Sequence, residues 1–132
     1  MPFTGISYLA VIVATVVAYV FGAVWYMVLA RHWVKAAGFS EPPKPTAAPF
    51  VIGFVAQLVI AYFLAGLIGH LGDVTVMRGL ITAFFVWLPF VLAPMIVNHR
   101  FQGLTWRLTL VDGGHWLGVF LLMGLVIGLI GV

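Results

Sequence analysis

Four apolar runs, each about 20 residues or longer and joined by short polar connections, predict an all-α membrane protein, a four-transmembrane-helix bundle. Composition points the same way. Of the 132 residues, 64% are hydrophobic and only 7% are charged, whereas a soluble domain carries roughly 25% charged residues. So few charges cannot cover a water-facing surface, and the mean hydropathy of +1.22 agrees. The third observation is the placement of the basic residues, which gather in alternate connections. Six Lys+Arg against three acids raise the isoelectric point to about 9.7. In so apolar a chain this excess reads as an orientation signal and not as a nucleic-acid interface. The whole chain, 1–132, is expected to form a single integral membrane domain whose first partner is the lipid bilayer.

The runs cover about 5–29, 50–69, 76–97 and 108–132. A helix rising about 1.5 Å per residue crosses a hydrocarbon core of about 30 Å in that length. None shows the alternating polarity of roughly 10-residue barrel strands. The first run lacks a basic flank before it and is too long for a signal peptide's apolar core, so it is expected to stay as a helix. Zero cysteines exclude disulfides, thiolate metal sites and cysteine nucleophiles.

Between the first two runs lie Arg31 to Lys35, a segment expected at the interface with Trp33 in the headgroup layer. Gly38 reads as the end of this helical extension. Prolines 42, 43, 45 and 49 then predict an extended connector, because they donate no backbone hydrogen bond. The turn from His70 to Thr75 is short, which predicts antiparallel neighbours for the helices it joins. The third connection, Asn98 to Arg107, reads as short and polar. Connections one and three hold Arg31, Lys35, Lys44, Arg100 and Arg107, and the opposite face holds only Arg78. Five cations against one predict cytoplasmic first and third connections, with N- and C-termini outside.

Small residues recur at spacing four. The first run has Ala10, Ala14, Ala18 and Gly22, and the second has Gly53, Gln57, Ala61, Ala65 and Gly69. The fourth pairs Gly114 with Gly118 and Gly124 with Gly128. In lipid, helices associate through close backbone contact, which such stripes permit. Packing within one bundle is the first expectation for any single stripe; stripes on three helices also predict a homo-oligomer. There is a faint internal echo as well: Val24 to Ala30 resembles Val86 to Ala93 with one insertion.

The stretch Trp106 to Trp116 carries the candidate site. Asp112 is the only acid inside any run, and His115 follows three residues later on the same helical face. They lie about 6 Å and about 10 Å beyond Leu108 along the axis. An intramembrane acid is costly, so it either serves function or is held by partners. Asn98, His99, Arg100 and Arg107 fall at the same level, as do Trp25 and Tyr26. An arginine, His115 or an indole could satisfy the carboxylate. Trp25 and Tyr26 read first as interfacial anchors; turned inward, they would offer donors to Asp112, with Gly22 letting another helix approach. Two roles are open: a proton or ion relay with His115 titrating near neutral pH, or a structural buckle tying the fourth helix to the third connection. The buckle is the stronger expectation.

Pro89 and Pro94 interrupt the third run and free carbonyls near Phe85 and Phe90, which predicts a kink. Gln57 and Tyr62 are expected to form interhelical hydrogen bonds. No metal site or cofactor is expected. His99, His115, Asp112 and His32 lack the i, i+4 histidine spacing of a helical zinc motif. No serine has the context of a nucleophile elbow, and no glycine-rich phosphate loop is present.

Gly22-Ala23-Val24-Trp25-Tyr26, then Trp33 and Ala36-Ala37-Gly38, and later Asp112-Gly113-Gly114-His115 carry a resemblance. The chain resembles the small bacterial membrane proteins grouped as domain of unknown function 1761 (DUF1761) over nearly its whole length. That family shows an early Gly-x-x-Trp-Tyr and an Asp-Gly segment opening its last helix. Gly114 departs from it where an aromatic residue often follows the Asp-Gly, and so does the proline-rich connection. The resemblance implies four transmembrane helices and no particular activity. The expected protein is integral to the bacterial inner (cytoplasmic) membrane and has no evident enzymatic activity. It is expected to act as a packing or accessory subunit, or to self-assemble. The alternative is an oligomeric channel or transporter with an Asp112/His115 cytoplasmic gate, and a membrane-embedded enzyme is the weaker third.

Overall fold

The computed structural model describes residues 5–131 and is helical throughout its ordered elements, with four helices long and apolar enough to cross a membrane. The start of the 1–132 domain and the end of the fourth run, Val132, lie outside the described residues. The first span is α1, Tyr8–Val28, begun by Ser7, whose hydroxyl accepts from the Ala10 amide at 3.1 Å. A short α2, Ala30–Ala36, comes directly after it. Gly38, at φ +83°, closes it: the Gly38 amide donates to the Lys35 carbonyl and the Phe39 amide to that of Val34. That reciprocal pair is how a left-handed glycine satisfies the last carbonyls of a helix.

The second span, α3, is Ala47–His70 and starts earlier than the proline count predicts. Pro49 belongs to its first turn, not to the connector. Amides there have no helical acceptor, so a proline costs nothing at that point. The third span is continuous from Val76 to Phe101 but changes character midway. Helix α4, Val76–Trp87, is capped by Thr75. It widens into a π-helical segment, Leu88–Leu92, and resumes as α5, Ala93–Phe101. Two prolines five residues apart remove two amides from the ladder, and the wider turn absorbs the mismatch without ending the helix. Asn98, His99 and Arg100 are therefore helical, which corrects the third connection to the four residues 102–105. Gly103, at φ +71°, closes α5 as Gly38 closes α2. The last span, α6, is Trp106–Ile130 with Thr105 as its N-cap.

Helix α6 is the most buried of the four and lies between α1 and α4, while α3 packs on α1. Although a tight turn joins them, α3 and α4 share only a small contact. The reason is steric. A Cβ on Gly79 would run into the backbone of Gly124, one on Gly124 into that of Gly79, and one on Gly128 would sit 2.6 Å from the Thr75 carbonyl oxygen. Bare glycine surfaces let α4 and α6 meet backbone to backbone, which α3 cannot match. The core around this contact includes Val119, Met123, Ile127, Ala83 and Ile68. At the other end Thr105 donates to the Ala36 carbonyl at 3.2 Å, so the first and third connections share one end of the bundle.

The small-residue stripes are used within the protomer. Ala10, Ala14, Ala18 and Gly22 are all buried, as are Gln57, Ala61 and Ala65. These residues pack within the protomer, the first expectation for any single stripe. Gln57 departs from expectation in another way: its buried Oε1 finds no hydrogen-bond partner among the described residues.

Candidate functional site

The N-terminal third of α6 is gripped from both flanks by aromatic side chains. From α1, the Trp25 indole donates to the Val111 carbonyl at 3.0 Å, and the Tyr26 hydroxyl donates to Asp112 Oδ1 at 2.7 Å. From α4, the buried Trp87 indole donates to the Gly113 carbonyl at 3.1 Å. Both carbonyls lie inside α6, and each has a second lone pair left for an outside donor. Three consecutive residues, 111 to 113, are therefore each held by a different ring. Glycines make this approach possible. A Cβ on Gly114 would come within 2.9 Å of the Trp25 ring, and one on Gly113 within 3.0 Å of Leu92 Cδ1. The π-helical segment contributes by turning the helix beyond Trp87, so that Trp87 before it and Leu92 at its end both reach Gly113.

His115 is buried, with its ring 4.8 Å from that of Tyr26, 4.9 Å from that of Trp116 and parallel to Phe21 at 6.4 Å. Its Nε2 occupies the space over Gly22, only 2.7 Å from where a Cβ would stand. Its Nδ1 is buried and has no hydrogen-bond partner among the described residues. Asp112 and His115 do share a face, but what links them is the Tyr26 ring and hydroxyl. The carboxylate makes no hydrogen bond to His115 among the described residues, so of the partners the sequence offers it is the Tyr26 phenol, not the imidazole, that donates to it.

The remaining candidates form a separate cluster or stand alone. Arg100 donates from one nitrogen to the carbonyls of Leu104 and Thr105 at 3.0 and 3.1 Å and to the Thr109 hydroxyl at 2.9 Å. Its guanidinium also lies over the Trp106 ring at 3.7 Å. His99 Nδ1 shares a 2.7 Å hydrogen bond with the same Thr109 hydroxyl. Arg100 thus ties the end of α5 to the start of α6, and the Asp112–Arg pair offered by the sequence is replaced by Asp112–Tyr26. Asn98 and Arg107 are exposed and join neither group. Among the described residues no three His, Asp or Glu lie together in a way that could hold a metal ion.

Three members of the site escaped the sequence reading of its chemistry: Trp87, Phe21 and Gly113. The echo between Val24-Trp25 and Val86-Trp87 carried a signal for the first. Both tryptophans sit on parallel spans and donate to carbonyls of α6 two residues apart.

The family described as "Protein of unknown function (DUF1761)" matches residues 9–128. The chain belongs to that family. No curated protein and no solved structure matches the chain.

Proposed function

We propose that this DUF1761 protein is a small, non-enzymatic integral membrane subunit in which Asp112 serves as a latch holding α6 to α1. It acts as an accessory or packing partner for other membrane proteins. In this reading the membrane is the bacterial inner membrane, the first and third connections face the cytoplasm, and both termini face outward. The observation that carries the proposal is the 2.7 Å Tyr26–Asp112 hydrogen bond set between two indole-to-carbonyl bonds. A carboxylate so engaged, on a helix clamped at the residues before and after it, is suited to fixing geometry. A gate needs a helix free to move.

His115 favours a second reading, a proton or ion path in an oligomer, because its buried Nδ1 lacks a partner among the described residues and a π-helical segment lies at the same level. Proteoliposomes containing wild type or Asp112→Asn separate the two. The latch reading expects a lowered thermal midpoint for Asp112→Asn and proton and cation flux no faster than in empty liposomes for both proteins. Wild-type flux that disappears in an equally stable Asp112→Asn protein would overturn it.

A further inference from the structure

The cations at the crowded end of the bundle fall into two kinds. Arg100 is committed to two carbonyls and a hydroxyl. Arg31 and Lys35 have no hydrogen-bond or ion-pair partner among the described residues, and both are exposed. They stand four residues apart on α2, hence on one face, one turn from each other. Together with Ala30, Val34, Phe39 and Pro42 they line an open groove of about 720 Å³ between α2 and the connector. Its wall is mostly apolar, with cationic groups at the edge.

A second depression lies on the preceding helix. It measures about 310 Å³, has no polar surface, and is lined by Phe21, Val24, Trp25, Val28 and Leu29 of α1. Leu29 in the slot and Ala30 in the groove are consecutive residues at the α1–α2 junction. An apolar slot on a membrane span, with a basic groove on the short helix that follows it, has the polarity of a phospholipid: a hydrocarbon chain, then a phosphate. We propose that Arg31 and Lys35 bind the phosphate of an anionic phospholipid whose acyl chain lies along the Phe21–Leu29 face of α1.

Two positive charges select a headgroup with net negative charge, because a choline ammonium brought to the same groove would meet them as a like charge. The one acid nearby, Glu41, lies on the exposed connector and leaves the groove net positive. A free phosphate would use the cations but leave the slot without a role. Nothing in this proposal depends on whether Asp112 is a latch or a gate.

The test is native mass spectrometry of the full-length protein released from micelles doped with equal amounts of phosphatidylglycerol and phosphatidylcholine. Wild type should retain phosphatidylglycerol adducts in about tenfold preference, and Arg31→Gln/Lys35→Gln should lose that preference. Lys44→Gln, which removes a cation from the same end but not from the groove, should retain it. The substituted side chains are exposed, and circular dichroism checks that the fold survives. Equal retention of the two lipids by wild type would overturn the proposal. So would a loss with Lys44→Gln as large as with the double variant, which would mean a diffuse surface field. Displacement of phosphatidylglycerol by inorganic phosphate at matched concentration would also overturn it, because the acyl chain would then contribute nothing.

Discussion

The two ends of α6 are held by different forces. Toward Trp106 its neighbours are rings: Trp25, Tyr26 and Trp87 reach its backbone or its acid through hydrogen bonds of 2.7 to 3.1 Å. Toward Ile130 its neighbours are bare backbone, with Gly79, Gly124 and Gly128 bringing α4 and α6 into direct contact. Lipid tails are as apolar as leucine, so burial alone gives helices little reason to associate in a membrane. What remains is close van der Waals packing and interhelical hydrogen bonding, and α6 uses one at each end. The two differ in what they tolerate. Close packing fails when a single methyl is added, while a ring-to-carbonyl bond fails only when its donor is removed.

The glycine end should therefore show the largest effect. Gly124→Val would place carbon atoms inside the Gly79 carbonyl, and backbone cannot swing aside as a long side chain can. Overpacking ordinarily costs about 1–3 kcal/mol, and a clash with backbone should reach or exceed about 3 kcal/mol. Detergent-resolved unfolding should show a protein largely unfolded where wild type is folded. Wild-type stability in this variant would mean that α4 and α6 do not touch here.

At the ring end the expected losses are smaller and unequal. Tyr26→Phe removes the donor and leaves the Asp112 carboxylate without the bond it accepts, a loss of about 2 kcal/mol for a charged acceptor. Asp112→Asn keeps an acceptor for the phenol and should cost only about 1 kcal/mol. A double-mutant cycle should give a coupling of about 1 kcal/mol; independent effects of the two substitutions would break the latch. Trp87→Phe falls between those two, at about 1–1.5 kcal/mol, because it takes a buried donor from Gly113 but leaves that carbonyl its helical bond. Chemical unfolding of the single variants should return that order, and a Trp87→Phe protein as stable as wild type would remove the α4 half of the grip.

Some of this arrangement was written plainly in the residues. Four spans follow from uninterrupted apolar length, which hydrocarbon thickness turns directly into crossings. Gly38 announced the end of α2 because few other residues enter the left-handed region cheaply. Asp112 drew attention because an acid within a span must be held by something. Its actual partner was harder to read, since a hydropathy pattern does not state how far each helix is rotated about its axis. Arginine, histidine, tryptophan and an inward-turned Tyr26 were all chemically suitable, and only the rotation of α1 decides that Tyr26 is the one that arrives. Gly79 and Ala83 show the same difficulty. They make a small-residue pair at spacing four, yet between bulky neighbours they signal little until Gly124 stands opposite them. Helix ends moved for a local reason: Pro49 reads as a breaker beside the other prolines and as harmless once it falls in a first turn.

The smallest expected effect is the most discriminating, because it can change sign. Gly22→Ala should gain about 1 kcal/mol from helix propensity, as alanine is less free than glycine in the unfolded chain. Against that gain, the new methyl would stand 2.7 Å from His115 Nε2. The imidazole is held on three sides by Phe21, Tyr26 and Trp116 and has little room to retreat. The net result should be a loss of no more than about 1 kcal/mol. In a His115→Ala background the obstacle is gone and only the propensity remains, so the same Gly22→Ala change should stabilise. Thermal midpoints of the four proteins in one detergent would show the reversal. If Gly22→Ala destabilises equally with and without the imidazole, then α1 and α6 do not meet at Gly22 through His115, and the grip on α6 ends at Tyr26.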